Sequence, residues 1–215
     1  MLGYILSKIN LLIFVVAIFS IVTYFTFGLV EIVKADQSRL LLRESSKKLS
    51  SILSSSTTCE VVYDVFRPSV NVLERKNYYV VRVTTQEIMV DDKAVDYLIY
   101  SMFDRREYID DPDEAKSITA SSVRTMDSEI NFYYWDNCDY TDVCSRDWQD
   151  SEEAIIDPQS TSQANTLIYV KELEGGITKL HVIPCSISSC GLAKTKVGEI
   201  VHPPNLPEEE GGFKC

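Results

Sequence analysis

The stretch FTFGLVEIVKADQSRLLLRE, residues 25–44, joins two kinds of helix-forming sequence without a break between them. Its first half belongs to an apolar run and its second half is charged, yet neither Pro nor Asn-Gly separates them. The sequence therefore predicts one continuous helix that begins in an apolar environment and ends in water. This stretch decides the fold because it connects the apolar N-terminal region to the rest of the chain.

The apolar run covers residues 9–33, which contain no Lys, Arg or Pro and have Glu31 as their only charge. A bilayer core of about 30 Å needs about 20 helical residues, so the run is long enough to cross it. A cleaved signal sequence usually has an apolar core of about 7 to 15 residues and a small-residue cleavage site, which are not found here. We predict a short leader over residues 1–8, followed by an uncut or minimally trimmed transmembrane or filament-core helix over residues 9–33.

An amphipathic helix is predicted to continue over residues 34–58, and Ser and Thr residues end it. Ala35, Leu42 and Leu49 recur at sevenfold spacing, with charged side chains on the other faces. At 1.5 Å per residue, the rod from residue 9 to residue 53 is about 67 Å long, roughly twice a bilayer. The stripe can pack on the protein's own head or on copies of the chain, and both can hold. Together with Gly28, its three residues are the candidate assembly residues.

The charge of the chain is unevenly distributed. The net charge is −11, with six Lys/Arg and three Asp/Glu in residues 1–58 and a net charge of −14 in the remainder. Phosphate contacts need clustered basic side chains, so an acidic head argues against a nucleic-acid-binding protein.

All the cysteines follow the apolar run, which is typical of a head in an oxidising compartment. The favoured pairing joins Cys138 to Cys144, Cys185 to Cys190 and Cys59 to Cys215. It is one of 15 possible connectivities, and free buried thiols remain an alternative. A zinc site fits less well, because the close pairs have longer spacings than zinc knuckles.

Two observations give opposite topologies. The basic residues at 34, 39, 43, 47 and 48 outnumber Lys8 before the span, and the positive-inside rule would place the head in the cytoplasm. The cysteines favour an extracellular head. We prefer the cysteine argument, because Asp36 and Glu44 can pair with the basic side chains and large domains translocate regardless of charge.

The head, residues 59–200, is predicted to be mainly an antiparallel β domain. Runs rich in Val, Ile, Tyr, Phe and Thr occur at residues 59–66, 77–90, 96–103 and 129–135. Two further runs flank Gly175-Gly176 as a hairpin. A short helix is predicted over residues 112–125, with Asp111 as its cap. The fold class is therefore α+β, and the Pro/Glu/Gly-rich tail, residues 201–215, is predicted to be extended or disordered.

No catalytic motif is present: the sequence lacks H-E-x-x-H, G-x-S-x-G and the glycine-rich phosphate loops. His181 is predicted to be a half-exposed strand residue, and His202 lies in the tail before two prolines. We therefore do not expect an enzyme.

The richest polar cluster surrounds Cys138 and Cys144. Asp136, Asp139 and Asp142 supply oxygens of the kind that calcium binds, although a solvated acidic loop is the preferred interpretation and no other cofactor is expected. The same region contains the aromatic residues Trp135, Tyr140 and Trp148, which are the candidate surface-contact residues.

A short leader, an apolar helix that continues as an amphipathic one, and a β-rich head with cysteines together resemble type IV pilin-like proteins, including those of archaea. The resemblance is architectural and covers most of the chain. It implies that apolar helices bundle into a filament core and that heads coat it at the cell surface, in a homo-oligomer with an adhesive role. The alternative is a single-pass membrane anchor that presents an extracellular binding or sensing domain.

Overall fold

The computed structural model describes residues 2–72, 75–90, 93–125, 128–135, 148–160, 164–186 and 190–201. The helices are α1 (Leu2–Ser54), α2 (Arg105–Asp110) and α3 (Cys190–Val201). The strands are β1 (Cys59–Val65), β2 (Val70–Val72), β3 (Arg75–Asn77), β4 (Tyr79–Val90), β5 (Lys93–Asp104), β6 (Ser117–Arg124), β7 (Glu129–Trp135), β8 (Trp148–Ser151), β9 (Glu153–Ile156), β10 (Thr166–Glu174) and β11 (Ile177–Cys185). A long apolar N-terminal helix followed by a β-rich head confirms the α+β class.

The helix α1 is unbroken through the stretch at residues 25–44, as predicted. Its 53 residues correspond to a length of about 80 Å. It ends at Ser54, just before the polar segment that was expected to end it. The predicted leader, residues 1–8, continues into the apolar run as one helix from Leu2 onward, and the uncut or minimally trimmed state of this helix stays a prediction.

The strands of the head form two larger sheets within the described residues. The first sheet has the order β1-β10-β11-β7-β8 and the second sheet has the order β6-β5-β4-β9, while β2 pairs with β3. The pairings are antiparallel except for β7, which lies parallel to β11. The hairpin between β10 and β11 turns at Gly175 and Gly176, whose φ values of 61° and 88° favour glycine.

One apolar core joins both sheets to the second half of α1. The helix contributes Leu42, Leu49 and Ile52, which are at most 1% exposed. The hydroxyls of Tyr100 in the second sheet and Tyr169 in the first sheet lie 2.8 Å apart, so their buried polar groups satisfy each other. Burial raises the pKa of both tyrosines, which keeps this contact neutral. The second half of α1 is therefore a structural layer of the head, in addition to the two sheets.

The predicted helix over residues 112–125 is wrong. Asp111 does receive hydrogen bonds from the backbone N–H groups of Asp113 and Glu114, as a helix cap would. This supports only a turn at residues 112–114, after which residues 117–124 form β6 against β5. The segment SITASSVR has a partly alternating pattern and branched side chains that fit a strand, and this pairing outweighs the local cap.

The helix α3 was not expected from the sequence. It packs on the face of the first sheet that carries Ile168, Val170 and Ile183, and Ala193 and Val197 are buried there. The disulfide between Cys185 and Cys190 ties the end of β11 to the start of α3, and this predicted pair is confirmed. Cys59 is disulfide-bonded as well, to a cysteine outside the described residues, so its pairing with Cys215 stays a prediction.

Lys171 of β10 holds the end of α1. Its buried ammonium group donates hydrogen bonds to the carbonyl oxygens of Ile52 at 3.2 Å and Ser55 at 2.5 Å. The Ile52 carbonyl lies in the last turn of α1 and also accepts from the backbone N–H of Ser55 at 3.2 Å. The Ser55 carbonyl lies just beyond that turn, where the negative end of the helix dipole lies.

Replacing this lysine should destabilise the head. We expect Lys171→Met to lower the free energy of unfolding by about 2 to 3 kcal/mol, because the Ile52 and Ser55 carbonyls lose a charged hydrogen-bond donor. The measurement is denaturant unfolding of the full chain in detergent, with Lys194→Met at an exposed site of α3 as the matched control. Equal transition midpoints for the two variants would show that Lys171 does not stabilise the helix end.

Candidate membrane and assembly surface

The first part of α1 stands away from the head and exposes apolar side chains on all sides. Between residues 9 and 32 its large apolar side chains other than Val30 are exposed by 42% to 77%. They include Ile9, Leu11, Leu12, Ile13, Phe14, Val15, Val16, Ile18, Phe19, Ile21, Val22, Tyr24, Phe25, Phe27, Leu29 and Ile32. Exposure of apolar area to water costs about 25 cal/mol per Å². This part of the helix therefore needs lipid or other apolar helices around it.

The charges at its two ends define a segment of bilayer length. Lys8 and Glu31 enclose residues 9–30, which carry no charge and extend for about 33 Å along a helix. The hydroxyls of Ser20 and Thr26 donate to the carbonyl oxygens of Val16 and Val22, so neither needs water. By length and composition, α1 can cross a membrane.

Gly28 lies near the end of this segment that is closer to the head. A Cβ atom added there would meet no atom within 4 Å. The glycine is therefore not required by packing within the chain, and it leaves a position where another helix can approach closely.

The apolar segment is fixed to the head just beyond its end. The Lys34 ammonium lies 2.5 Å from the Asp104 carboxylate at the end of β5, and the next turns of α1 bury Ser38, Ser45 and Ser46. The hydroxyl of Ser46 lies 2.7 Å from that of Ser121 in β6. Because both side chains are small, the helix and the strand approach closely here.

The candidate assembly residues are divided by this arrangement. Leu42 and Leu49 are fully buried in the chain's own core, and Ala35 is half-buried. The stripe was expected to pack on the chain's own head or on other copies, and the first alternative holds for both leucines. Their assignment as contacts between copies is therefore corrected to contacts within the head. Of the four candidates, Gly28 is the one that the head leaves open.

A polar cluster lies on the face of the first sheet covered by α3. The Nδ1 atom of His181 is 2.9 Å from the Tyr133 hydroxyl, and its Nε2 atom is 3.1 Å from the Glu172 carboxylate. The Tyr133 ring stacks on the imidazole, and the Lys196 ammonium of α3 lies 5.1 Å from the centre of that ring. His181 was expected to be half-exposed but is 6% exposed. The prediction was wrong because the helix α3, which covers this face of the sheet, was not expected.

Burial makes this histidine sensitive to acid. Burial lowers the pKa of His181, and the hydrogen bond with Glu172 opposes that shift only in part. Below the ordinary histidine pKa of about 6.5, the unfolded chain binds more protons than the folded chain, so acidification favours unfolding.

We therefore expect the free energy of unfolding to fall more between pH 7.5 and 5.5 in the parent chain than in His181→Gln. The comparison is a series of denaturant unfolding curves across this pH range. Groups remote from position 181 are the same in both chains, so their contribution cancels in the difference. Parallel pH dependence of parent and variant would contradict the assignment.

A surface cleft of about 400 Å³ lies beside α2. Its lining consists of Lys76, Asn77, Tyr78, Asp104, Arg105, Arg106, Ile109 and Asp110. Arg105 is tied to the buried Asp157 carboxylate at 2.8 and 2.9 Å, and Asp104 is tied to Lys34. These two charged side chains of the lining are therefore paired within the fold, and we assign no catalytic arrangement to the cleft.

The predicted calcium residues Asp136, Asp139 and Asp142 and the predicted contact residue Tyr140 lie outside the described residues. The predicted disulfide pair, Cys138 and Cys144, lies outside them as well. Trp135 and Trp148 are register partners in β7 and β8, so their backbones pair at the edge of the first sheet. Within the described part of the chain, no group of three or more His, Cys, Asp or Glu side chains could hold a metal ion.

The surface with the clearest physical requirement is thus the free apolar part of α1, held at a fixed position by the head. Its chemistry is that of lipid contact or helix bundling. Comparison with known proteins gives no family model, no curated protein and no solved structure that matches the chain.

Proposed function

We propose that the chain is a pilin-like subunit of a surface filament or a related assembly. Its apolar helix is stored in the membrane and then packs with other copies, while the acidic head faces outward. The observation that carries the proposal is the single helix Leu2–Ser54, whose first part is exposed and apolar while its later turns are part of the head core. Because the helix continues into the head core, the position of each helix in a bundle sets the position of its head.

The proposed placement of the head is extracellular. The Cys185–Cys190 disulfide and the bonded Cys59 support an oxidising compartment. The basic residues after the span support the opposite topology by charge counting. Charge counting has less weight here, because a large C-terminal domain translocates largely regardless of charge. In the folded head, Lys34 pairs with Asp104 and Lys48 pairs with Asp64.

A single-pass anchor with a binding head is the second candidate. The observation that favours it is the uncharged segment of about 33 Å between Lys8 and Glu31, which matches one bilayer without any need for other copies. This alternative gives a chain of low oligomeric order that stays in detergent or membrane.

Gly28→Leu distinguishes the two candidates. The substitution has open space in the isolated chain, so we expect unchanged unfolding and unchanged membrane extraction. If helices pack closely at Gly28, the added side chain should reduce polymer yield about tenfold or more on detergent removal. Leu29→Ile, at the exposed neighbouring position, is the matched control. Equal polymer yield from parent and Gly28→Leu would count against close helix packing at this site.

A further inference from the structure

The face of α1 that points away from the head has its own pattern. Arg39, Arg43 and Lys47 are exposed at intervals of four residues, so they lie along one side of the helix. Leu40 lies among them and is 59% exposed, although its neighbours Leu42 and Leu49 are buried. We call Arg39, Leu40, Arg43 and Lys47 the basic stripe.

The charges of the basic stripe are mostly unused within the chain. Arg39 has a weak 4.0 Å contact with Asp36, and Glu44 is exposed on the same side. Arg43 and Lys47 form no ion pair with any described residue, whereas Lys34 and Lys48 at either end are paired with the head. The free basic side chains are thus those that face outward.

An acidic surface of opposite character lies on the head at α2 and the turn that follows it. It consists of the exposed residues Glu107, Ile109, Asp110, Asp111, Asp113 and Glu114, which we call the acidic patch. Arg106 and Lys116 flank it, so residues 106–116 carry five carboxylates and two basic side chains. Ile109 is 55% exposed within the patch, as Leu40 is within the stripe.

The two surfaces do not cover each other in one chain, since the residues of both are exposed. The ion pair between Lys34 and Asp104 places the start of α2 level with residue 34 of α1. The centre of the basic stripe lies several residues further along α1, which is an axial displacement on the order of 10 Å.

We propose that the basic stripe of one copy docks on the acidic patch of the next copy, with Leu40 against Ile109. This inference rests on the proposed filament function and names its contact. Charge complementarity selects the partner, because the net charge of −14 after residue 58 otherwise makes heads repel. Two different surfaces that meet with an axial displacement form a heterologous contact, which builds an open helical array when it does not close.

Charge reversal tests the pairing in the full-length chain. One variant carries Arg43→Glu and Lys47→Glu, a second carries Asp110→Lys and Asp113→Lys, and a third carries all four changes. All four side chains are exposed, so unfolding curves of the variants in detergent should match the parent. The readout is the chain concentration at which pelletable polymer first forms after detergent removal.

We expect each two-residue variant to raise that concentration about tenfold and the four-residue variant to return it to within about threefold of the parent. A four-residue variant as poor as the other two would overturn the pairing, as would polymerisation of all variants at the parent's concentration. Failure of the parent itself to polymerise would instead contradict the proposed function. The two failures are therefore distinguishable.

Discussion

Leu49→Ala should lower the free energy of unfolding of the head by about 3 to 4 kcal/mol, a large part of the stability of a domain this size. Leu49 is fully buried in the apolar core that contains residues of both sheets, although it belongs to α1, the helix with the membrane-spanning segment. Truncation leaves a cavity that the surrounding tyrosines and branched side chains cannot fill, because the core is close-packed.

The matched control for this prediction is Leu40→Ala, earlier on the same helix. Leu40 is 59% exposed, so its truncation should change the unfolding free energy by less than about 0.5 kcal/mol. Denaturant unfolding of both variants, monitored by circular dichroism in detergent, gives the comparison. A loss below about 1 kcal/mol for Leu49→Ala would mean that the head folds without the second half of α1.

Two arginines in the middle of the apolar segment should remove the chain from the membrane. Val16→Arg with Phe19→Arg places both charges near the centre of residues 9–30, where each costs about 3 kcal/mol on insertion. Together they cost about 6 kcal/mol, which is more than a thousandfold in partition. The expected result is loss of the chain from carbonate-washed membranes, and loss of polymer as well, because bundled helices exclude charge for the same reason.

Leu40→Arg is the control, since residue 40 lies beyond the apolar segment on the exposed face. It should leave membrane association unchanged. Retention of the double-arginine variant in washed membranes would show that residues 9–30 are not the membrane segment.

The sequence predicted those parts of the fold that depend on local pattern. The absence of a breaker at residues 25–44 predicted the continuous α1, and alternation predicted β1, β4, β5 and β7 with errors of a few residues. The paired glycines at 175 and 176 predicted the hairpin, because a tight two-residue turn needs positive φ.

The errors arose where distant contacts outweigh local preference. Asp111 and Pro112 look like a helix start, but pairing with β5 makes residues 117–124 a strand. The helix α3 contains two glycines, which lower helix propensity, and the helical spacing of Cys190, Ala193, Val197 and Ile200 was a signal that the prediction missed. The Cys185–Cys190 disulfide and the sheet face hold the helix in place. Without α3, the burial of His181 was not predictable.

The candidate surface was predictable in part. Sevenfold spacing identified the residues of α1 that are buried, Leu42 and Leu49, but spacing alone does not say whether a head or another copy buries them. The role of Lys171 was not predictable either, because it depends on the placement of β10 against the end of α1.

The central claim is that this chain forms an extracellular polymer through α1. The most direct measurement is imaging of material sheared from the source cells, with the intact mass of the chain taken from the same sample. We expect ordered fibres made of this chain, with a mass lower by two hydrogens for each disulfide. Small particles that need detergent, with no fibres in the sheared material, would contradict it and leave a membrane anchor with a binding head.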